Sequence, residues 1–192
     1  MRFDGPQEVL PVFTSRTVVA DLAGVMTYYT ILKTKAVGDL LFTANDTDLI
    51  GLYNLENEQA PRISGSWKLK PRQKVLAEAV KQIKEYLAGK RKVFSVPFHF
   101  EGTEFQEKIW AHTMRIPYGE TMSYREIAKK AGKPSAMRAA GSALRMTPID
   151  FIIPAHRVIS KSGNAGKFSG DWEKKMWLIS LEKKVCGKRE ND

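Results

Sequence analysis

The first third of the chain alternates short runs of β-branched and aromatic residues with polar breaks. Three such runs lie at 27–33, 39–44 and 49–55, and they are separated by Gly38 and by the polar segment 45–48. Runs of this length, bounded by turn-forming residues, are typical of strands. The pattern predicts a meander of antiparallel strands, the small sheet of an α/β module.

From Pro71 onward the hydrophobic positions recur at helical spacing instead. Gly89 follows them and is placed to end the predicted helix before the basic cluster 90–92, which we interpret as a solvated helix end. The apolar stripe of this helix comprises Val75, Leu76, Ala79, Val80, Ile83 and Leu87.

The pattern changes again near Pro97, after which short helices dominate. This change predicts two domains, at residues 1–97 and 98–192. Phe105, Ile109 and Trp110 form the apolar stripe of a helix predicted over 105–114. Trp110, Trp172 and Trp177 have apolar neighbours at helical spacing, which predicts that all three belong to the core.

Two further helices are predicted between residues 123 and 145. Ser123 and Glu126 have the spacing of a capping box at the start of the first, which should end at Gly132. Ser135 is the predicted cap of the second helix, which runs to about Arg145. Two such helices joined by a short turn predict a helix-turn-helix, and the small residues at 136–143 would let the second approach a groove closely.

The charge of the chain favours a polyanionic partner. Its 192 residues carry a formal net charge of +10, with a sequence pI near 9.7. Between residues 123 and 145 a single acid, Glu126, lies among six bases, and phosphate contacts made by such side chains release condensed counterions. The six bases are Arg125, Lys129, Lys130, Lys133, Arg138 and Arg145.

Other classes of protein are disfavoured by composition. No run approaches the roughly 20 apolar residues that span a bilayer, and the N-terminus lacks the apolar core of a secretory signal. We therefore expect no membrane association and a cytoplasmic, nucleoid or nuclear location. Cys186 is the single cysteine, so no internal disulfide forms, and without a His/Cys cluster we expect no metal and no cofactor.

Seven segments of the second half form a distinctive ordered set: 116–120, 123–124, 138–141, 153–158, 162–163, 168–170 and 177–182. In order and spacing they resemble the O6-alkylguanine-DNA alkyltransferases. The resemblance implies a ribonuclease H-like α/β first domain with a small antiparallel sheet and a helix, followed by a mostly helical domain with a helix-turn-helix. It also implies a monomer whose partner is double-stranded DNA containing O6-alkylguanine.

The resemblance assigns roles at the DNA face. Tyr124 is similar to the tyrosine that lies against the phosphate on the 3′ side of the lesion. Arg138 is similar to the arginine that enters the base stack from the minor groove and offsets part of the cost of extruding the base. Ser123, Ala139 and Arg145 are assigned to the same DNA-binding face.

Ala155 occupies the position at which this family carries its alkyl-accepting cysteine. His156 and Glu182 match the histidine and glutamate that help to deprotonate that thiol, as a cysteine nucleophile requires. With a methyl group at position 155, the resemblance implies a relay without an acceptor. Arg157 is interpreted as structural, tying this loop to the core, and Cys186 as an incidental surface thiol.

The implied lesion pocket departs from the family at two more positions. Thr147 replaces a usual asparagine, and Phe168 replaces a common tyrosine, whereas Ser169 is retained. The pocket thus assigned comprises Tyr124, Thr147, Ala155, Phe168 and Ser169.

Three functions stay open from the sequence. The first is an alkyltransferase-like protein that binds the lesion without repairing it and passes it to nucleotide-excision repair proteins. The second is a methylated-DNA-protein-cysteine methyltransferase whose acceptor cysteine has been replaced by alanine. The third is a helix-turn-helix transcription factor, which is disfavoured because the second helix offers few long polar side chains for base edges.

Overall fold

Three consecutive strands form the predicted meander. In the computed structural model, which describes residues 26–160 and 172–187, these are β1 (Tyr28–Leu32), β2 (Leu40–Ala44) and β3 (Leu49–Asn54). Both pairings are antiparallel. β2 is buried along its whole length, as expected of a central strand that is covered on both faces.

A fourth, two-residue strand makes the sheet mixed instead of purely antiparallel. β4 (Lys68–Leu69) pairs in parallel with β1, which gives the order β3-β2-β1-β4. Both of its side chains are exposed, so it lacks the alternation of buried and exposed residues that identifies a strand in sequence. The prediction of an antiparallel sheet was therefore right for the meander and wrong for this edge.

The predicted helix packs against the sheet as α1 (Lys74–Leu87). It begins three residues after Pro71 because the Gln73 side chain accepts a hydrogen bond from the Leu76 amide and caps it. Gly89, with a φ of 71°, follows its end. Its buried face comprises Val75, Leu76, Ala79, Gln82, Ile83 and Tyr86.

The second half contains the expected short helices. They are α2 (Glu104–Met114), α3 (Tyr124–Lys130), α4 (Met137–Arg145) and α5 (Trp172–Gly187). The buried Trp110 indole in α2 donates a hydrogen bond of 2.9 Å to the Ala143 carbonyl oxygen in α4. This bond joins the helix-turn-helix pair, α3 and α4, to the rest of the domain.

The helix caps agree with the sequence at one end of the turn and differ at the other. The capping box of Ser123 and Glu126 is present, and Gly132 follows α3 with a φ of 81°. Ser135 was wrongly predicted as the next cap. The Ala136 amide instead donates to the Lys133 carbonyl oxygen, which extends the turn by one residue and makes Ala136 a cap without a side-chain hydrogen bond.

Two of the three tryptophans predicted as core lie at the surface. Trp110 is buried as predicted, whereas Trp172 and Trp177 are 52% and 38% exposed. The inward face of α5 instead carries Lys175 and Glu182, polar residues that periodicity alone would place in solvent. Their burial is possible because each has hydrogen-bond partners inside the protein.

Backbone hydrogen bonds join the two halves at β3. The Leu52 amide donates to the Pro148 carbonyl oxygen at 3.0 Å, and the Asp150 amide donates to the Leu52 carbonyl oxygen at 2.8 Å. The first-domain sheet therefore holds the segment that leads to Ala155. Within the described parts of the chain, no helix is long and apolar enough to cross a membrane.

Candidate functional site

An open groove of about 400 Å³ lies between the start of α3 and the exposed side of α4. The predicted DNA-binding residues Ser123, Tyr124 and Arg138 all contribute to it. The complete lining is Ser123, Tyr124, Arg125, Met137, Arg138, Gly141 and Ser160. The structure thus brings together residues from the two helices of the predicted helix-turn-helix.

Tyr124 forms the inner part of this groove with a buried lysine behind it. Burial raises the pKa of Tyr124 above its ordinary value. The Lys175 Nζ atom lies 5.6 Å from the centroid of the tyrosine ring and donates a 2.6 Å hydrogen bond to the Val158 carbonyl oxygen. Burial also lowers the pKa of Lys175 to about 8. The Tyr124 ring therefore has the Lys175 amino group near it inside the protein and also lines the open groove.

The basic residues predicted between positions 123 and 145 are all exposed. Glu126, the single acid among them, directs its carboxylate to the Ser123 amide and hydroxyl in the capping box. That carboxylate lies at the start of α3, and a single acid can offset only one of the six bases around it. The surface around the groove is accordingly positive, which suits a phosphate backbone.

Behind the groove lies a buried cluster centred on a short 3₁₀ helix, Ala155–Arg157. The side chain of His156 is 0% exposed, and its Nε2 atom lies 3.0 Å from Oε1 of Glu182 in α5. His156 and Glu182, which the sequence motifs assigned to one site, therefore contact each other directly. Ala155, immediately before the histidine, is also buried.

Arg157 closes the other side of the cluster. Its Nη2 atom lies 2.8 Å and its Nε atom 3.0 Å from the two oxygens of Glu182, and Nη1 donates to the Ile116 carbonyl oxygen at 2.6 Å. A two-pronged contact of this kind fixes both partners in one geometry. The interpretation of Arg157 as a structural tie is confirmed.

Opposing effects set the charges of the buried pair. Burial lowers the pKa of His156, despite its hydrogen bond to Glu182. Burial by itself would raise the pKa of Glu182, but hydrogen bonds from His156 and Arg157 and the charge of Arg157 prevail and lower the pKa to about 2. At neutral pH the cluster thus contains a carboxylate, a guanidinium and a neutral imidazole.

This arrangement is that of a base held in place by an anion. Because the ionised Glu182 can only accept, the Nε2 nitrogen of His156 carries the ring proton and donates it to the carboxylate. The other ring nitrogen, Nδ1, then has the lone pair that could take a proton from a neighbouring acid. The methyl group of Ala155 offers neither a proton nor a nucleophile.

The remaining predicted residues lie apart from the groove or outside the described residues. Thr147 is buried at the end of α4, where its hydroxyl donates to the Leu144 carbonyl oxygen at 2.8 Å. Ala139 and Arg145 are exposed on α4 and do not line the groove. Phe168 and Ser169 fall outside the described residues.

Cys186, interpreted from the sequence as an incidental surface thiol, is half-buried. Its Sγ atom lies 3.4 Å from the Tyr118 carbonyl oxygen and 3.7 Å from the Lys92 Nζ atom. Among the described residues, no group of three or more His, Cys, Asp and Glu side chains is arranged to hold a metal ion.

Sequence reasoning missed Tyr86, whose hydroxyl lies 2.6 Å from Oε1 of Glu182. The helical pattern contained a signal for it, because Tyr86 follows Ala79 by seven residues and Ile83 by three, which places it on the buried face of α1. The predicted stripe instead ended at Leu87, which is only partly buried.

Comparison with known proteins shows the family to which the chain belongs. Residues 104–184 match the family model described as "6-O-methylguanine DNA methyltransferase, DNA binding domain", and residues 27–100 match the "ribonuclease-like domain" of the same family. The chain belongs to the 6-O-methylguanine DNA methyltransferase family. The fold expected from the resemblance is thereby confirmed: a ribonuclease-like first domain and a helical second domain.

This chain matches most of the length of two relatives that carry the name of the methyltransferase. The methylated-DNA--protein-cysteine methyltransferase of Mycobacterium leprae is 39% identical over 147 residues, which are 77% of this chain and 87% of the relative. The protein of the same name from Methanosarcina barkeri is 37% identical over 155 residues, which are 81% of this chain and 96% of the relative.

A solved member of the family shares the architecture. The crystal structure of Mycobacterium tuberculosis OGT in complex with DNA superposes with a TM-score of 0.75 at 35% identity, covering 82% of this chain and 94% of that one. The groove, the basic face and the buried cluster therefore lie in a DNA-binding domain of a DNA-alkylation repair family.

Proposed function

We propose that this chain binds O6-alkylguanine in duplex DNA, extrudes the damaged nucleotide towards its groove from the minor-groove side, and holds it without accepting the alkyl group. The observation that carries this proposal is a complete buried His156–Glu182 pair next to a methyl group at Ala155. A family member with its base in place and no thiol beside it can recognise a lesion but has no atom to receive the alkyl group.

The groove supplies the groups that extrusion requires. Tyr124 would press on the phosphate of the rotated nucleotide, and the exposed Arg138 would fill the space that the base leaves in the stack, since a planar guanidinium both stacks and donates hydrogen bonds. Ser123, Ala139 and Arg145 would contact the surrounding backbone. We assign Thr147, Ala155, Phe168 and Ser169, with Tyr124, to the pocket that receives the base.

The proposal extends to the fate of the lesion after binding. A lesion that is held but not repaired must be removed by other proteins, and we propose nucleotide-excision repair proteins as those partners. We further propose that the chain acts as a monomer inside the cell, with its domain boundary at residues 97–98.

A second candidate is supported by the comparisons. Relatives that match most of this chain carry the name of the methyltransferase, and the buried His156–Glu182 pair would equally serve an enzyme that deprotonates a thiol. On this alternative the chain is the enzyme with its acceptor cysteine replaced by alanine.

Lesion preference is the first test of the proposal. We expect the chain to bind a duplex containing one O6-methylguanine at least about tenfold more tightly than the unmodified duplex at near-physiological salt, a difference of roughly 1.4 kcal/mol. Fluorescence anisotropy with both duplexes measures the ratio of the two dissociation constants.

Two arginines on α4 provide matched variants for this experiment. Arg138 lines the groove and Arg145 does not, although both are exposed. Arg138→Ala should reduce the preference for the lesion, whereas Arg145→Ala should weaken binding to both duplexes equally. Equal affinity of the unchanged chain for both duplexes would contradict the proposal, and preference for one undamaged sequence over another would favour a transcription factor.

Gly141 tests whether the groove itself receives the base. A Cβ atom added there would lie 3.7 Å from the Tyr124 ring, an ordinary contact, so alanine fits while a longer side chain extends into the groove. Gly141→Ala should keep lesion affinity and stabilise α4 by about 0.5–1 kcal/mol. Gly141→Leu should remove the lesion preference without weakening binding to unmodified DNA. Thermal melting and anisotropy measure the two effects, and a preference retained in the leucine variant would place the base elsewhere.

A further inference from the structure

Tyr86 reaches the buried His156–Glu182 pair from the other domain. It lies in the last turn of α1, and its side chain is 0% exposed. Its hydroxyl oxygen is 2.6 Å from Oε1 of Glu182 and 3.1 Å from Nε2 of His156. The sequence motifs of the second domain do not include this residue, and neither does the function proposed above.

The charges of the cluster determine the direction of these bonds. Burial raises the pKa of Tyr86 well above its ordinary value, so the hydroxyl keeps its proton and donates it to the Glu182 carboxylate. His156 donates its Nε2 proton to the same oxygen. Two cations also act on the His156 ring: Arg157, which lies in the same 3₁₀ helix, and Lys175, which lies in α5.

The aromatic ring of Tyr86 supports the same site from a second direction. It packs edge-on against Phe151, with centroids 5.9 Å apart. Phe151 is buried, has a φ of 70° and lies four residues before Ala155. A left-handed conformation in a non-glycine residue costs on the order of 1–3 kcal/mol and persists only where its surroundings hold it. The ring of Tyr86 is one of those surroundings.

We propose that Tyr86 is a positioning residue through which the first domain holds Glu182 and fixes His156 in the tautomer protonated at Nε2. This inference rests on the proposed function only in treating the cluster as part of the lesion pocket. A second domain separated from α1 would lose both the hydroxyl donor and the ring that supports the loop before Ala155.

Tyr118 provides a matched control because it is a neighbouring tyrosine with a different environment. Its ring lies 5.9 Å from that of Tyr86, yet among the described residues its buried hydroxyl has no hydrogen-bond partner. Removing the oxygen from each tyrosine changes the volume of the site equally, while only Tyr86→Phe removes a donor from Glu182.

Nitrogen NMR of the full chain measures the effect directly. The chain contains three histidines, so the imidazole signals of His99 and His112 serve as internal references. We expect His156 to be protonated at Nε2, and Tyr86→Phe to speed exchange of that proton with water by about tenfold or more and to mix the two tautomers. Tyr118→Phe should leave both unchanged.

A folded Tyr86→Phe protein with the same tautomer and exchange rate as the unchanged chain would overturn the inference. If this variant does not fold, 2,3-difluorotyrosine at position 86 keeps the shape of the side chain and makes its hydroxyl a stronger donor. It should slow the exchange of the His156 proton, and an unchanged rate would equally overturn the inference.

Measurements on Tyr86→Phe distinguish a failure of this inference from a failure of the proposed function. NMR of the DNA-free protein tests the positioning role, whereas anisotropy with the lesion duplex tests recognition. A changed His156 signal in a chain without lesion preference would retain the role of Tyr86 and reject the proposed function. A clear lesion preference in the unchanged chain, together with unchanged His156 signals in Tyr86→Phe, would support the proposed function and reject the role of Tyr86.

Discussion

Ala155→Cys is expected to give the chain a single, stoichiometric transfer of a methyl group from O6-methylguanine in DNA. The new thiol would lie beside His156, whose Nδ1 nitrogen can take its proton, while Glu182 holds the other side of the ring. The thiolate would then form a bond to the methyl carbon as the bond from that carbon to O6 breaks. The electron pair leaves with the guanine, which takes up a proton.

The size of this effect is a change from no detectable transfer to about one methyl group per protein molecule, since the thioether cannot turn over. Mass spectrometry of the peptide containing residue 155 measures it. The unchanged chain is the control for Cys186, which we expect to stay unmodified, and Ala155→Ser controls for a polar group at 155 that is a weaker nucleophile.

The outcome shows how far the pocket has departed from that of a methyltransferase. Transfer by the cysteine variant would mean that the pocket has kept its catalytic geometry, and that the residue at position 155 alone prevents the lesion-binding chain from accepting the methyl group. A variant that binds the lesion duplex without becoming methylated would mean that the pocket has changed beyond the acceptor, as in a dedicated lesion binder.

Glu182→Gln is expected to be the most destabilising single substitution in the buried cluster. The carboxylate accepts hydrogen bonds from Tyr86, His156, Arg157 and the Gly119 amide. An amide in its place leaves the Arg157 guanidinium buried without its counter-charge, which costs roughly 3–5 kcal/mol. For a chain of this size, that loss lowers Tm by on the order of 10 °C. Thermal and denaturant unfolding measure it.

Glu104→Gln is the control for this substitution. Glu104 also forms an ion pair, with Lys108 at 2.6 Å, but its side chain is 85% exposed. Removing a solvated charge of this kind should change stability by less than about 1 kcal/mol. Similar losses of stability in the two variants would contradict the view that burial makes the Glu182 pairing indispensable.

Comparison of the unchanged chain with Glu182→Gln also tests how the free energy of unfolding depends on pH. Because the folded-state pKa of Glu182 is lowered from 4.5 to about 2, its contribution to stability is complete above pH 4.5 and is lost as the pH falls towards 2. The stability difference between the unchanged chain and Glu182→Gln should therefore shrink across this range. His156, whose pKa is lowered by burial, adds a loss of stability below its ordinary value of 6.5 because only the unfolded chain readily takes up a proton.

Local pattern predicted much of the fold because its signals lie within a few residues. The strand runs of the meander, the α1 stripe ended by Gly89, and the Ser123–Glu126 capping box all concern neighbours in sequence. Failures occurred where the deciding interaction was non-local or weakly patterned. β4 has two exposed residues, and the outward position of Trp177 depends on which face of α5 packs inward.

The sequence by itself determined the family, through spaced motifs, and the absence of a nucleophile at Ala155. It also indicated the pairing of His156 with Glu182, although 26 residues separate them. Only the tertiary structure placed Tyr86 beside that pair, since periodicity could assign it to the buried face of α1 but could not indicate a contact with a residue 96 positions away. Burial, hydrogen-bond direction and the resulting charges depend on how the two domains pack, and these decide what the cluster can do.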